Sequence, residues 1–354
     1  MQEDKLFALT RALMDVDTSH GEEGPAAMLI ADHLREWGSM QVQVWAVAPG
    51  RLNVFACRGM ARVILSTHLD TVPPFIASRE DDEAIHGRGA CDAKGIAAAQ
   101  IFAAQELLDA GQVNFGLLFV VGEERDSLGA ASANERQDKL APLARYLVNG
   151  EPTELCLATA GKGALRLNLR ARGRAAHSAY PELGESATDK LLEALDRLQR
   201  LELPRNPELG STTVNVGTLA GGIAPNVIAD EAHAEVLIRL VEDAAPLRQQ
   251  IVAALGPLIE CDFVLEIPPT RFVTLPGFPT CTVAFGTDCT KLSAFGEPLL
   301  YGPGSIRVAH TENEHVRKAD LLAAVRGYRE IVTELLRRTE DIPPAPAESS
   351  PNLG

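Results

Sequence analysis

Hydrophobic residues at the start of the chain recur every three or four positions, which is the spacing of amphipathic helices. Residues 1–37 therefore predict one or two helices, and short β-rich runs follow them. The next strong elements are a buried strand, a long Ala- and Leu-rich helix and a second apolar strand: "RVILSTHLD" at 62–70, "IAAAQIFAAQELLDAG" at 96–111 and "FGLLFVVGEE" at 115–124. Strands that alternate with helices predict an α/β domain whose functional site lies at the carboxyl ends of the strands.

The pattern changes near residue 162, where polar and apolar residues begin to alternate as in half-exposed antiparallel strands. Two amphipathic helices lie among these strands, which predicts a compact α+β unit with helices on one face of its sheet. The α/β pattern returns at about residue 272. We therefore expect a discontinuous α/β domain over 1–161 and 272–340, an inserted α+β domain over 162–271, and a disordered Pro- and Ser-rich tail over 341–354.

The composition of the chain excludes several classes of function. Its 354 residues exceed one typical core, and 46% hydrophobic with 23% charged residues is ordinary for a folded protein. A formal net charge of −15 disfavours nucleic acid and anionic membranes as partners. No apolar run reaches the roughly 18 residues of a membrane span, and the acidic start does not resemble a signal peptide, so we expect a cytoplasmic protein. The six cysteines form no CxxC pair, which predicts reduced thiols rather than disulfides or a thiolate zinc site.

Ionisable residues stand at the end of the first buried strand. Because side chains alternate along a strand, His68 and Asp70 point to the same face, which suits one metal ligand and a supporting group. A strand that simply ends in a polar loop is the alternative. Asp92 lies just before the Ala-rich helix, where capping the helix N-terminus is an alternative to binding a metal.

Further acidic residues and a second histidine follow other predicted elements. Glu123 and Glu124 directly follow an apolar strand, and two adjacent carboxylates there repel each other unless a cation, a shared proton or solvent relieves the repulsion. Glu151 follows the next apolar strand, and His310 comes after a glycine-rich turn. A two-metal site without thiolates needs a bridging carboxylate and about two further ligands for each ion. The histidines and carboxylates named above supply enough ligands for two ions and leave one carboxylate to act as a base.

Six motifs along the chain resemble those of a known enzyme family. In chain order they are "STHLDTVP", "GRGACDAKG", "GEERDSLGA", "NGEPT", "GRAAHSAYPELGESA" and "PGSIRVAHTENEHV". They resemble the successive motifs of the co-catalytic zinc exopeptidase and deacylase family, which includes acetylornithine deacetylase, succinyl-diaminopimelate desuccinylase, aminoacylase and related carboxypeptidases. The match runs over nearly the whole chain in the family's order. It implies a zinc-exopeptidase-like catalytic domain with a mixed sheet, and an inserted ferredoxin-like domain that serves for dimerisation and as a lid.

The resemblance also implies roles for individual residues. Two zinc ions, for which Co²⁺ or Mn²⁺ can substitute, would share Asp92 as a bridge. Their ligands would be His68, Asp92 and Glu151 for one ion, and Asp92, Glu124 and His310 for the other. Asp70 would hold the imidazole of His68. Glu123 would be the general base that takes a proton from the zinc-activated water. The Asp92–Ala93 peptide bond would be cis.

Two residues of the inserted domain match further positions of the family. His177 would lie in the active site of the partner subunit of a homodimer, where it would stabilise the oxyanion. Asn226 would lie near the substrate, although glycine-rich turns also select asparagine for their backbone geometry. Asp288 and Lys291 receive no role from the resemblance.

The function that this resemblance implies is hydrolysis of the amide bond of an N-acyl amino acid. The chain is short for the family, which favours the compact deacetylases of amino-acid biosynthesis, with N-acetylornithine or N-acetylcitrulline as the substrate. Alternative activities are those of a metallo-exopeptidase, either dipeptidase or carboxypeptidase, and of a succinyl-amino-acid desuccinylase. A catalytically silent binding protein with the same fold is the alternative outside enzymes, and we would expect it to lack a ligand or the base.

Overall fold

The computed structural model of the protein describes residues 2–340. The tail over 341–354, for which the sequence predicts disorder, lies outside these described residues. The described chain divides into two compact units. The first unit contains the described residues up to Leu157, Val273–Thr280 and the described residues from Lys291 onward, and the second unit contains Ala158–Phe272 and Cys281–Thr290.

Helices and strands are numbered in chain order. The α-helices within residues 2–340 are α1 (Gln2–Met14), α2 (Gly24–Glu36), α3 (Lys94–Asp109), α4 (Leu128–Asn134), α5 (Gln137–Leu140), α6 (Ala187–Gln199), α7 (Ala244–Leu255) and α8 (Lys318–Glu340). The strands within the same residues are β1 (Gln41–Ala48), β2 (Arg51–Arg58), β3 (Val63–His68), β4 (Arg79–Glu80), β5 (Ala84–His86), β6 (Phe115–Val120), β7 (Tyr146–Asn149), β8 (Leu157–Gly161), β9 (Gly163–Arg172), β10 (Arg205–Asn206), β11 (Gly210–Ser211), β12 (Thr213–Gly221), β13 (Glu231–Leu240), β14 (Ile259–Ile267), β15 (Thr270–Arg271), β16 (Thr280–Val283), β17 (Glu297–Leu300) and β18 (His315–Arg317).

A mixed six-stranded sheet forms the centre of the first unit. Its strand order is β1-β2-β6-β3-β7-β17. The pairs β1/β2 and β2/β6 are antiparallel, whereas β6/β3, β3/β7 and β7/β17 are parallel. Every side chain of β3 and β6 is buried, as expected for strands covered on both faces. The Ala-rich helix α3 packs against α1 and α8, and most of its residues are buried. This α/β architecture confirms the predicted fold class.

A four-stranded antiparallel sheet forms the core of the second unit. Its strand order is β12-β13-β9-β14. The main elements follow one another along the chain as β9-α6-β12-β13-α7-β14, which is the βαββαβ arrangement of ferredoxin-like folds. Burial alternates along β9 and β13, and the buried side chains pack against α6 and α7. The predicted α+β unit, with helices on one face of the sheet, is therefore present.

The segment Cys281–Thr290 differs from the sequence prediction. The sequence analysis assigns it to the α/β domain, whereas the structure groups it with the second unit. The reason is long-range hydrogen bonding: the Lys162 amide donates to the Val283 carbonyl at 3.1 Å, and β16 joins β8 and β15 in one small sheet. A short 3₁₀ turn, Asp288–Thr290, ends the segment. The assignment of the two units to catalysis and to dimerisation stays a prediction.

Two expectations from composition concern the membrane and the cysteines. Among the helices of residues 2–340, none combines the length and the hydrophobicity needed to cross a membrane. None of the six cysteines, which all lie within residues 2–340, forms a disulfide in the structure. A cytoplasmic location stays a prediction.

Leu191 and Leu192 are neighbours on α6 with opposite surroundings, so together they test the packing of the second unit. Leu191 is fully buried in the core, whereas Leu192 is 53% exposed. Leu191→Ala leaves a cavity, and we expect it to lower the free energy of unfolding by about 2–5 kcal/mol. Leu192→Ala should change that free energy by less than about 0.5 kcal/mol. Urea unfolding followed by circular dichroism measures both variants, and equal losses would contradict the packing described.

Candidate functional site

The carboxyl ends of three neighbouring strands bring the predicted site residues to one edge of the sheet of the first unit. Strand β3 ends at His68 and lies between β6 and β7, with which it is parallel. Glu123 and Glu124 follow β6 after a short turn, and Glu151 follows β7. Parallel strands end at the same edge, so residues that are far apart in sequence meet there.

Five side chains at this edge form two groups that share one aspartate. The first cation group is His68, Asp92 and Glu151, and the second cation group is Asp92, Glu124 and His310. In each group the candidate ligand atoms lie within 4.8 Å of one another. His68 Nε2 is 3.0 Å from Asp92 Oδ1, and His310 Nε2 is 3.2 Å from Asp92 Oδ2. The two carboxylate oxygens of Asp92 therefore face different histidines, as a bridging ligand requires.

Asp92 occupies the turn immediately before α3. The helix begins at Lys94, and its N-cap residue is Ala93, which offers no side-chain hydrogen bond to the helix end. The capping role that the sequence left open for Asp92 is therefore not observed. The Asp92–Ala93 peptide bond is cis, as the resemblance predicts.

Asp70 contacts both His68, as predicted, and the loop after β6. His68 Nδ1 lies 3.0 Å from the backbone carbonyl oxygen of Asp70 but 3.5 Å from carboxylate Oδ1. The carboxylate also accepts hydrogen bonds from the backbone amides of Gly122, Glu123 and Glu124, at 2.8, 3.1 and 3.0 Å. Asp70 thus contacts the imidazole through its carbonyl and, at the longer distance, through its carboxylate. Its side chain fixes the loop that carries both glutamates.

The carboxylates of the two cation groups raise the pKa values of the histidines. Hydrogen bonds to Asp92 and Glu124 raise the pKa of His310 to about 10, against a smaller opposing effect of burial. Burial opposes a charge on His68, yet its hydrogen bonds to Asp70 and Asp92 raise its pKa well above the ordinary value. In the metal-free protein both imidazoles therefore bind protons at neutral pH.

The donor set fits two divalent cations. It consists of two imidazole nitrogens and three carboxylates, which Zn²⁺, Co²⁺ and Mn²⁺ accept as ligands. The raised histidine pKa values show that the cluster already draws positive charge in the form of protons. No thiolate lies in either group, so the donors do not select for a soft metal.

His177 and Asn226 lie together in the second unit, in two adjoining loops. His177 forms an isolated β-bridge with Val227, and the Ser178 amide donates to the Asn226 carbonyl at 3.0 Å. Both residues are exposed. Their roles in a partner subunit's active site stay predictions.

Sequence analysis missed several charged residues that the structure buries. Lys94 is 1% exposed, its Nζ donates to the Val16 carbonyl at 2.6 Å, and burial lowers its pKa to about 8. The motif "GACDAKG" contains this lysine, so its position beside Asp92 was the available signal. Arg51 pairs with the fully buried Glu23 at 2.6 Å, and no local pattern in the sequence indicates this contact.

Comparisons with known proteins agree with this geometry. The sequence model of peptidase family M20/M25/M40 matches residues 64–334. A probable carboxypeptidase of Aspergillus clavatus is 38% identical over 377 aligned positions, which cover 94% of this chain and 83% of that protein. A tripeptidase from Staphylococcus aureus has a similar fold, with a TM-score of 0.77 and 21% identity over 95% of this chain and 99% of its own. A dinuclear metal-binding peptidase from Bacillus subtilis has a TM-score of 0.66 and 15% identity, and the alignment covers 95% and 99% of the two chains.

Cation binding should release protons from the histidines. Because His310 has a pKa of about 10 in the metal-free protein, its imidazole is protonated at neutral pH and must lose that proton before a cation binds. We expect the second cation to release about one proton at neutral pH, and its apparent affinity to fall about tenfold for each pH unit of acidification. Calorimetric titration of chelator-treated protein in two buffers of different ionisation enthalpy measures this release.

The control for this titration is His86→Gln. His86 pairs with Asp81 at 2.7 Å and belongs to neither cation group, so the variant should release as many protons as the unchanged protein. Binding of both cations without proton release at neutral pH would show that His310 is not paired as described.

Proposed function

Because the chain belongs to peptidase family M20/M25/M40, we propose that it hydrolyses an amide bond in a small substrate with the help of two divalent cations. The observation that carries this proposal is the pair of ligand groups that share Asp92, with Glu123 directly beside the ligand Glu124. His68, Asp92 and Glu151 would hold one cation, and Asp92, Glu124 and His310 the other. Zinc is the proposed metal, with Co²⁺ or Mn²⁺ as substitutes.

Each side chain then has a definite task in the reaction. The bound cations supply the positive charge that polarises an amide carbonyl and makes a water molecule more acidic. Glu123 is half-buried, and Asp70 holds its backbone amide, so its main chain is fixed directly next to that of Glu124 in the second cation group. Glu123 accepts a proton from the water that adds to the carbonyl carbon. It then donates this proton to the departing nitrogen as the C–N bond breaks, which yields a carboxylate and an amine.

Two substrate classes satisfy this chemistry. Carboxypeptidases and N-acyl-amino-acid deacylases both release an amino acid with a free α-carboxylate, and they differ in the group on the other side of the amide bond. The relationship to a probable carboxypeptidase at 38% identity supports a peptide substrate. The six motifs support an N-acetyl amino acid such as N-acetylornithine or N-acetylcitrulline equally well. A succinyl amino acid also belongs to the N-acyl amino acids.

A homodimer would complete this site. His177 and Asn226 are exposed on the second unit, and β12 is an edge strand of its sheet with mostly exposed side chains. An unpaired strand edge is suited to association with a second chain. In this proposal His177 donates a hydrogen bond to the oxyanion in the partner subunit's site, and Asn226 contacts the substrate there.

A substrate panel tests the proposed activity. Zinc-loaded protein is assayed for amine release from N-acetylornithine, N-acetylcitrulline, N-acetyllysine, succinyl-diaminopimelate and several dipeptides, each compared with its carboxamide analogue. We expect turnover of at least one free carboxylate substrate and its loss in the presence of a chelator. The fastest substrate distinguishes deacylase from carboxypeptidase. If protein with two bound cations released no amine from any of these substrates, that result would contradict the proposed function.

The adjacent glutamates supply matched controls for this panel. Glu123→Gln should keep both cations and lower kcat by about 10²–10⁴-fold, because only proton transfer is lost. Glu124→Gln should lose the second cation instead, as measured by metal analysis. Normal turnover by Glu123→Gln would exclude this residue as the base.

Mixing two inactive variants tests the shared site. If His177 acts in the partner subunit, a dimer of one Glu123→Gln chain and one His177→Ala chain contains one intact site. We expect an equilibrated equal mixture to regain about a quarter of the normal activity, because half of the dimers are mixed and each has one intact site. A mixture of Glu123→Gln and Glu124→Gln chains is the control and should stay inactive. No recovery in the first mixture, despite exchange of subunits, would contradict the dimeric site.

A further inference from the structure

A buried ion pair connects the two segments that carry the second cation group. Arg88 and Glu314 are 2% and 1% exposed, and Arg88 Nη1 lies 2.5 Å from Glu314 Oε2. Arg88 precedes Asp92 by four residues, and Glu314 follows His310 by four residues. Neither residue belongs to a cation group, and the proposed reaction uses neither.

The second carboxylate oxygen of Glu314 binds the turn that contains Asp92. Oε1 accepts a hydrogen bond from the Gly89 amide at 2.9 Å and longer ones from the Cys91 and Asp92 amides, both at 3.3 Å. The Glu314 carbonyl also accepts from the Gly87 amide at 3.0 Å. One carboxylate thus restrains the backbone of the bridging aspartate itself.

Arg88 extends this contact to the neighbourhood of His310. Its Nη1 also reaches the carbonyl of Thr311, the residue after His310, at 3.3 Å. His310 has a φ of +64°, a left-handed conformation that residues other than glycine adopt only where the surrounding structure imposes it. The pair therefore holds both partners of a contact whose atoms, His310 Nε2 and Asp92 Oδ2, are 3.2 Å apart.

Stability alone is a weak reason for such a pair. The free energy lost when two charges leave water offsets much of the free energy gained from their attraction. An apolar pair of similar size therefore often stabilises a fold as much as a buried ion pair does. The placement of this pair between two ligand-bearing segments points instead to geometry. Partners of metal ligands typically affect metal affinity when they are lost.

We propose that Arg88 and Glu314 are positioning residues that set Asp92 against His310 and so complete the second cation group. This inference rests on the proposed function, since it concerns the same cations. It predicts that loss of Glu314 weakens the second cation more than the first, because His68 and Glu151 are held by β3 and the end of β7.

Cobalt titration of chelator-treated protein tests this inference. The unchanged protein should bind two equivalents of Co²⁺, with a visible absorption spectrum for each. In Glu314→Gln we expect the first equivalent to bind nearly as before and the dissociation constant of the second to rise by about 10–100-fold. The spectrum of the second cobalt ion should change as well, because its ligands are displaced. A purely structural role would alter neither the second constant nor this spectrum.

Two further variants separate positioning from folding. Glu314→Gln leaves the Arg88 charge buried without its carboxylate, which can destabilise the metal-free protein. The double variant Arg88→Met with Glu314→Gln removes both charges, so its Tm without metal should return towards the original value while the second cobalt ion still binds weakly. Glu106→Gln is the control, since it breaks the ion pair of Glu106 with Arg329 between α3 and α8 and should leave both constants unchanged.

The outcomes separate this inference from the proposed function. Normal binding and spectrum of the second cobalt ion in Glu314→Gln would overturn the positioning role, whatever the Tm. Recovery of tight second binding in the double variant would also overturn it, because the carboxylate would then be dispensable. Failure of the unchanged protein to bind two equivalents would instead contradict the proposed function.

Discussion

Crowded carboxylates at one edge of a buried sheet impose the main constraint on this structure. The acidic side chains are those of Asp70, Asp92, Glu124 and Glu151, and Glu123 is the neighbour of Glu124 in sequence. Like charges in a poorly solvated place repel one another strongly, so positive charge has to be supplied there. The imidazoles of His68 and His310 supply it as protons in the metal-free protein. The proposed cations would take the place of these protons, which is why metal binding and protonation oppose each other at this site.

Two loops that carry candidate ligands are held by buried carboxylates that belong to neither cation group. Asp70 accepts three backbone amides from the loop of Glu123 and Glu124, and Glu314 accepts three from the turn of Asp92. In both cases one side chain satisfies several amides that would otherwise be buried without partners. Ionised acceptors bind amides more strongly than neutral ones, so a short loop gains the rigidity that a metal site needs.

The candidate cation groups and the two residues predicted to reach a partner subunit's site belong to different units of the chain. Both cation groups and Glu123 belong to the first unit, whereas His177 and Asn226 belong to the second. A set of candidate ligands and a base indicates a type of reaction rather than a particular substrate. Family membership therefore indicates the reaction more readily than the substrate. The residues that contact the substrate's side chain can differ between members that share the same motifs.

Local sequence patterns determined the elements and the types of candidate ligand. Continuous apolar runs predict β3 and β6, an Ala- and Leu-rich composition predicts α3, and alternation with a period of two predicts the antiparallel strands of the second unit, because each pattern follows from how that element is buried. The positions of His68, Glu124 and Glu151 at strand ends, and the motifs around them, indicate the metal chemistry.

Only the tertiary structure decided which distant groups meet. The contact of Arg88 with Glu314 joins segments more than two hundred residues apart, and nothing in either segment alone specifies its partner. The carboxylate of Asp70 turns to the loop after β6 because that loop presents three amides to it, and Cys281–Thr290 joins the second unit through pairing with β8. These outcomes depend on the packing of whole elements, and hydrophobic periodicity within one element does not encode them.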